Sequence, residues 1–292
     1  MKLKLPLQFV GVIALTLAVR TINADESLAD LLVTNLVVAN GSVTLAWTGG
    51  RPTYQVQVCT NLTAGWSNLG APTSNTVAKL PVPPGGTSAF YRVLTDFTAR
   101  YQVVFTATWS QATLPTNWPS NAHFYGLVGG IHNRALHFWR DGETASEGIR
   151  LMSELGQKTT LLNEIAPFLT NGLAQFQLSG GGISLSPGSV SYSFPQPMRR
   201  DFPLVTLVSM IAPSPDWFVG VDSLNMIENN RWLTNRVVTL YGRDAGTDSG
   251  TTYTSPDQVT VPRGVITPFT GFPALQDGVI VPFGTFTFTR LD

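Results

Sequence analysis

Polar and apolar side chains alternate along most of this chain in short runs, each stopped by glycine, proline, asparagine or serine. That pattern restricts the fold more than any other feature. Successive side chains of a strand point to opposite faces, so a period of two suits a half-buried sheet and does not make the one-sided stripe of a helix. Ser42-Val43-Thr44-Leu45-Ala46-Trp47 predicts Val43, Leu45 and Trp47 on a buried face. Asn40-Gly41 before it is a hairpin-turn pair, because both residues accept positive φ. Gly49-Gly50 marks the next turn, and Tyr54-Gln55-Val56-Gln57-Val58 and Ala89-Phe90-Tyr91-Arg92-Val93-Leu94 follow the same rule.

These strands predict a small β-sandwich over residues 25–97, of the fibronectin type III or immunoglobulin kind, with Trp47 and Trp66 in its core. A larger block, residues 98–292, opens with the strand-like run Tyr101–Trp109 and closes with Phe286-Thr287-Phe288-Thr289. Leu204–Ile211 is largely apolar and suits a central strand. One stretch breaks the period of two. Within 144–155, Ile149, Met152 and Leu155 fall three apart, which predicts a short helix that Gly156 stops. Gly180-Gly181-Gly182 reads as a flexible turn. The expected fold class is all-β: two sandwiches in series with one short helix.

Ahead of both blocks, residues 1–24 read as an export signal. Lys2 and Lys4 precede a largely apolar stretch, Leu5 to Val19, and Ala24 sits before a cut. The apolar run is short for a bilayer span, and an uncleaved anchor is the alternative. The whole chain is neutral, with 18 Lys+Arg against 18 Asp+Glu; removing Lys2, Lys4 and Arg20 leaves it net negative. Charged residues make up 12%, and no basic run provides an electrostatic footprint for nucleic acid. The lone Cys59 excludes a disulfide framework within the chain and a thiolate zinc site. Export without disulfides fits a secreted or bacterial envelope protein. Asn40-Gly41-Ser42 and Asn61-Leu62-Thr63 match the glycosylation acceptor pattern, which matters only outside a bacterial source.

Few residues carry chemistry. Asp216 follows the strand that ends near Ile211, in a loop where Pro213 and Pro215 flank Ser214; Asp244 and Asp248 flank Ala245-Gly246-Thr247. Gly246 lets that loop fold back and aim two carboxylates at one point. Crowded carboxylates repel, a divalent cation removes the repulsion, and oxygen donors without a nearby thiolate favour Ca2+ over zinc. Spacing alone leaves a second reading open, in which these aspartates are turn formers that accept local backbone hydrogen bonds. Asp222 reads either as a neighbour of such a site or as a surface residue. His132 and His137 point to opposite faces of a strand and cannot pair on a metal; with His123 they read as core-edge or hydrogen-bonding residues. Arg199-Arg200 is too small for a lipid or nucleic-acid patch. Asp248-Ser249-Gly250 imitates an aspartic protease signature, but that chemistry needs two such loops facing one another, and Ser249 has no histidine in the motif to activate it. No catalytic residue is assigned.

The second block also carries longer motifs. They include Tyr101-Gln102-Val103-Val104-Phe105, Thr108-Trp109-Ser110, Ala122-His123-Phe124, Leu127-Val128-Gly129-Gly130-Ile131-His132-Asn133, Ala145-Ser146-Glu147-Gly148 and Glu154-Leu155-Gly156. The sharpest are Pro213-Ser214-Pro215-Asp216-Trp217-Phe218-Val219-Gly220 and Asp244-Ala245-Gly246-Thr247-Asp248-Ser249-Gly250. In these the block resembles the spondin N-terminal domain family of F-spondin and mindin, over most of residues 101–270. The resemblance implies an antiparallel sandwich like that of C2 domains, with bound Ca2+ whose aspartate ligands fall on Asp216, Asp244 and Asp248. Met226 and Ile227 stand where animal members carry a cysteine, Arg243 stands where a tryptophan is usual, and no thrombospondin type 1 repeat follows. The calcium site therefore transfers more readily than the integrin or matrix partners of the animal proteins. The first block resembles small sandwich modules of bacterial surface proteins, which names no function.

The resulting expectation is a secreted, non-catalytic, calcium-binding adhesion or interaction module. Its partner is an extracellular or cell-surface protein or glycan, met through loops at one end of the sandwich. The alternative is a calcium-dependent carbohydrate-binding module of the cell envelope, with Trp109, Trp118 and Trp139 as stacking faces, although the same tryptophans also read as core. A hydrolase is the third class, and the sequence offers it no nucleophile–base pair.

Overall fold

The structure, a computed structural model, describes residues 31–61, 65–82, 89–95, 97–229 and 231–292. The export signal at 1–24 and the Leu62-Thr63 part of one acceptor pattern lie outside the described residues. Two compact units meet in sequence between Phe97 and Thr98.

The first unit contains β1 (Leu32–Ala39), β2 (Ser42–Thr48), β3 (Gln55–Cys59), β4 (Ser67–Asn68), β5 (Val77–Pro81) and β6 (Phe90–Leu94). They form two antiparallel sheets, β1-β2-β5 and β4-β3-β6. Asn40 and Gly41, with φ of 50° and 71°, close the β1–β2 hairpin. Val43, Leu45 and Trp47 are buried and pack with Tyr54, Val56 and Val93. Cys59 is buried and free. Trp66 departs from expectation: it is half-buried and outside this core. It lies under the Arg92 guanidinium, 4.3 Å from the ring centroid. Arg92 in turn holds exposed Gln57, so the tryptophan belongs to the sheet's solvent face, where an arginine stem covers it.

The second unit begins with β7 (Thr98–Ala99), β8 (Tyr101–Ala107), β9 (His123–Phe124) and β10 (Val128–His132). Helices α1 (Glu147–Leu155) and α2 (Thr159–Thr170) follow, then β11 (Ala174–Ser179), β12 (Gly188–Ser193), β13 (Met198–Arg199), β14 (Leu204–Ala212) and β15 (Trp217–Asn225). The chain ends with β16 (Ile227–Glu228), β17 (Arg231–Trp232), β18 (Asn235–Leu240), β19 (Arg243–Asp244), β20 (Thr267–Pro268), β21 (Leu275–Gln276), β22 (Val279–Ile280) and β23 (Gly284–Arg290). One antiparallel sheet runs β11-β10-β14-β15-β19-β20, with β9 also on β14; the other runs β12-β8-β23-β18. Phe105, Phe286 and Phe288 from the second sheet meet Leu207, Ile211 and Val219 from the first in the core.

Strand β14 is buried along its whole length because both faces are covered. Leu207 and Ile211 face the other sheet; Val208, Met210 and Ala212 pack with Ile149 and Met152 of α1 and Leu161 and Ile165 of α2. A strand covered on both faces has no reason to alternate. The predicted helix is present as α1. Ser146 Oγ accepts the Ile149 N–H at its start, and Gly156, at φ 66°, ends it. Leu155 does not join Ile149 and Met152 inside; it is 50% exposed. Six residues at about 100° each leave it roughly 120° from Ile149, and Ser153 is buried instead. The sequence reading did not anticipate α2, which starts without a side-chain cap and contains Pro167. Its Leu161 and Ile165, one turn apart, bury it.

Candidate functional site

Pro213-Ser214-Pro215-Asp216 connects β14 to β15. Ser214 closes this connection: its Oγ donates to the Ile211 carbonyl at 2.5 Å and accepts the Trp217 N–H at 3.1 Å. Asp216 is fully buried. Strand β15 pairs with β19 in the register Trp217 to Asp244, which sets the second aspartate beside the first, and the Ala245 N–H donates to the Asp216 carbonyl at 3.2 Å. The chain then turns at Gly246, φ 73°. A Cβ there would lie 2.8 Å from the Gly264 carbonyl carbon and 2.9 Å from the Val265 oxygen, so the turn needs glycine in both conformation and space.

The turn carries Thr247 and Asp248 onto Asp216. Asp216 Oδ2 accepts the Thr247 N–H at 2.7 Å, the Thr247 hydroxyl at 3.2 Å and the Asp248 N–H at 3.0 Å. Its other oxygen, Oδ1, is equally buried and has no partner among the described residues. Asp244 Oδ1 accepts the Gly246 N–H at 2.7 Å. Asp248 accepts the Gly250 N–H on Oδ1 and the Gln258 N–H on Oδ2, both at 2.7 Å. The bonds to Gly246 and Gly250 are local turn bonds, whereas Asp216 bonds a loop 31 residues away.

Burial first, and the Asp244 carboxylate second, push the Asp216 carboxyl up to about 7, against three hydrogen bonds that favour its anion. Burial also raises Asp244; the Gly246 N–H and the Trp217 indole oppose the rise, and Asp248 adds to it. The three predicted aspartates thus form one coupled patch, two of them joined directly by a hydrogen bond. They do not form a closed cage: among the described residues, no group of three His, Cys, Asp or Glu side chains stands in metal-ligating geometry. The donor set still suits a hard cation. It offers a buried, unpartnered carboxylate oxygen beside a second carboxylate, with oxygen donors throughout.

Sequence reasoning missed Thr247 and the Gln258 N–H. Thr247 lies inside the quoted motif, but its role needs the fold, and nothing local marks Gln258. Asp222 stands apart, about 20 Å along β15 at the usual strand rise. There it accepts the Ser223 hydroxyl and pairs with Arg140. The histidines take separate hydrogen-bonding roles. His132 is buried with Nε2 2.8 Å from Thr206 Oγ1, and burial pushes its imidazole down. His137 pairs with Glu143, and His123 Nδ1 lies 2.7 Å from the Asn121 carbonyl. Arg199 pairs with Asp201. The stacking roles considered for three tryptophans need correction. Trp109 is in the core with half-buried Trp118 packed on it, and Trp139 is buried with Arg243 4.9 Å over its ring.

The family model described as Spondin_N matches residues 99–277. Spondin-2 of Rattus norvegicus is 35% identical over 210 residues, covering 66% of this chain and 62% of its own length. Spondin-2 of Homo sapiens is 35% identical over 175 residues, covering 59% of this chain and 53% of its own length. Spondin-1 of Rattus norvegicus is 32% identical over 191 residues, or 64% of this chain and 24% of its own length. The chain therefore spans less than two thirds of each of these relatives.

Proposed function

Because the chain belongs to the Spondin_N family, we propose that it is a secreted, non-catalytic interaction module whose aspartate-bearing end binds Ca2+. The buried, unpartnered Asp216 Oδ1 carries this reading. Bound Ca2+ supplies the positive charge that the Asp216 and Asp244 carboxylates lack. Asp216, Asp244 and Asp248 hold it, and backbone carbonyls and water complete an oxygen shell. Thr247 and the Asp248 N–H orient Asp216 by saturating one of its oxygens, which leaves the other for the cation. The partner is an extracellular or cell-surface protein or glycan that meets the loops at this end.

The reading of residues 1–24 as an export signal supports secretion, outside the cell or into a bacterial envelope. No helix among the described residues is long and apolar enough to cross a membrane. In the non-catalytic reading, Ser249 uses its hydroxyl on the Gln258 carbonyl and the aspartates serve as ligands. The calcium-dependent carbohydrate alternative is left with half-buried Trp118 alone, since Trp109 and Trp139 are buried.

Calorimetric titration of Ca2+ into the metal-free, full-length secreted chain tests the proposal. Saturable binding is expected, and Asp216→Asn should weaken it strongly while leaving the far-ultraviolet dichroism unchanged. A flat trace for the wild-type protein ends the proposal.

A further inference from the structure

A cleft of about 700 Å3 lies beside β9 between residues 120–126 and 182–185. Its floor is backbone. Phe124 and Ile183 exchange N–H···O bonds at 2.9 Å each. A Cβ on Gly182 would lie 2.3 Å from the Phe124 oxygen, and one on Gly126 would lie 2.8 Å from the Gly180 oxygen. Glycine at these positions keeps two backbones in contact and the space above them clear of side chains.

Tyr125 stands at this cleft with 42% of its surface exposed, yet its ring is held in place. Gly156, the left-handed end of α1, passes so close that a Cβ there would be 2.2 Å from the ring. The His123 ring flanks it at 5.2 Å and the Ser209 hydroxyl donates to its carbonyl at 2.6 Å. An exposed aromatic face fixed in this way loses little entropy when a ligand stacks on it.

The polar groups around the ring are positioned but unused. The Asn121 carbonyl only accepts, so His123 Nδ1 carries the proton in its 2.7 Å contact. In the neutral ring, Nε2 is then an acceptor, and it has no protein partner among the described residues. Ser120, Asn121 and Ser184 are exposed, and their side chains join no hydrogen bond among the described residues. No lining residue is charged. The Lys158 ammonium beside Gly126 is engaged on the Gly180 carbonyl at 2.9 Å. Another cleft, between β15 and β18, differs: there Arg243 pairs with Asp141 and Arg140 with Asp222, which satisfies its charges internally.

A fixed aromatic face, a directed ring nitrogen, an amide and hydroxyls, with no charge, match the C–H face and hydroxyl groups of a neutral sugar. We propose that this cleft is a binding site for a neutral glycan, with Tyr125 stacking on a sugar ring and His123 Nε2 and Asn121 bonding its hydroxyls. It contains no carboxylate and acts without a metal, so it is independent of the aspartate end.

The test is an array of neutral gluco-, manno-, galacto- and N-acetylglucosamine oligosaccharides beside heparin and uronate oligosaccharides, probed with the full-length secreted chain in Ca2+ and in EDTA. The best-bound oligosaccharide is then titrated by calorimetry. A neutral oligosaccharide should bind equally in both buffers. Tyr125→Ala should weaken it about tenfold or more, and Tyr125→Phe should retain it. If Tyr125→Ala lowers the melting temperature, the exposed pair Asn121→Ala with Ser184→Ala replaces it and should show a similar loss. No neutral ligand, a preference for the anionic oligosaccharides, or wild-type affinity in the folded variants would overturn the proposal. So would binding that vanishes in EDTA, which would move the site to the aspartate end.

Discussion

Asp216 is buried beside Asp244 and holds its proton up to about pH 7, whereas in the unfolded chain it ionises near 3.9. Below about pH 4 both states carry the proton, and the group contributes no difference. As pH rises further, the unfolded chain ionises while the folded domain does not, so calcium-free stability falls. The fall levels off above about pH 7, at a total on the order of 4 kcal/mol from this group. Melting curves in calcium-free buffer from pH 4 to 8 should show this decline relative to Asp216→Asn, which has no carboxyl to ionise; parallel curves for the two proteins would contradict the assignment. The carboxylates themselves were legible in the sequence, because their motif is local. Which Asp216 oxygen is saturated and which is left bare was not, because Thr247 and the Asp248 N–H arrive from a loop that only folding brings there.

At the scale of elements, α1 shows how far periodicity reaches. Its stop was readable, since a left-handed glycine acts within one turn; its start lies at Glu147, where Ser146 caps it, three residues inside the stretch read from 144. Its inward face was readable at Ile149 and Met152 but not at Leu155, where the spacing of three drifts off the stripe. Ile149→Ala should therefore cost about 2–5 kcal/mol. Leu155→Ala should stay within about 0.5 kcal/mol. Urea denaturation of both variants measures the contrast, and equal losses would contradict the face assignment. The neighbouring α2 had no such local signal, yet the two helices are tied together. Glu164 of α2 accepts the Gly148 N–H and the Ser146 hydroxyl at the start of α1, both at 2.7 Å. A carboxylate there satisfies a free N–H and complements the helix dipole, an arrangement that exists only once both helices dock on β14.

For the whole molecule, a cation that binds only the folded state at about 100 times its dissociation constant adds ~2.7 kcal/mol. The unit that contains the aspartates should then melt ~5–10 °C higher in Ca2+ than in EDTA. Replacing Asp216, Asp244 and Asp248 together with asparagine should raise the metal-free melting temperature and abolish the response to Ca2+. An asparagine oxygen still accepts the Gly246 and Gly250 N–H groups and the three bonds on Asp216; only the Gln258 N–H loses its acceptor, and relief of the repulsion outweighs that loss. Scanning calorimetry in the two buffers reads both effects, and a triple variant that still responds to Ca2+ would show the site to be elsewhere. By itself, the sequence determined that the chain is all-β, which residues of β2 face a core, where α1 ends, and that Asp244 and Asp248 flank a turn at Gly246. Each of these follows from interactions within a few residues along the chain. Only the tertiary structure decided that helices cover the second face of β14, that Trp66 lies on a solvent face, and that Asp216 meets the turn at Gly246. It also decided that Tyr125 rests on the end of α1 above a glycine floor. Each of these depends on burial and contact between segments far apart in sequence, which local pattern does not encode.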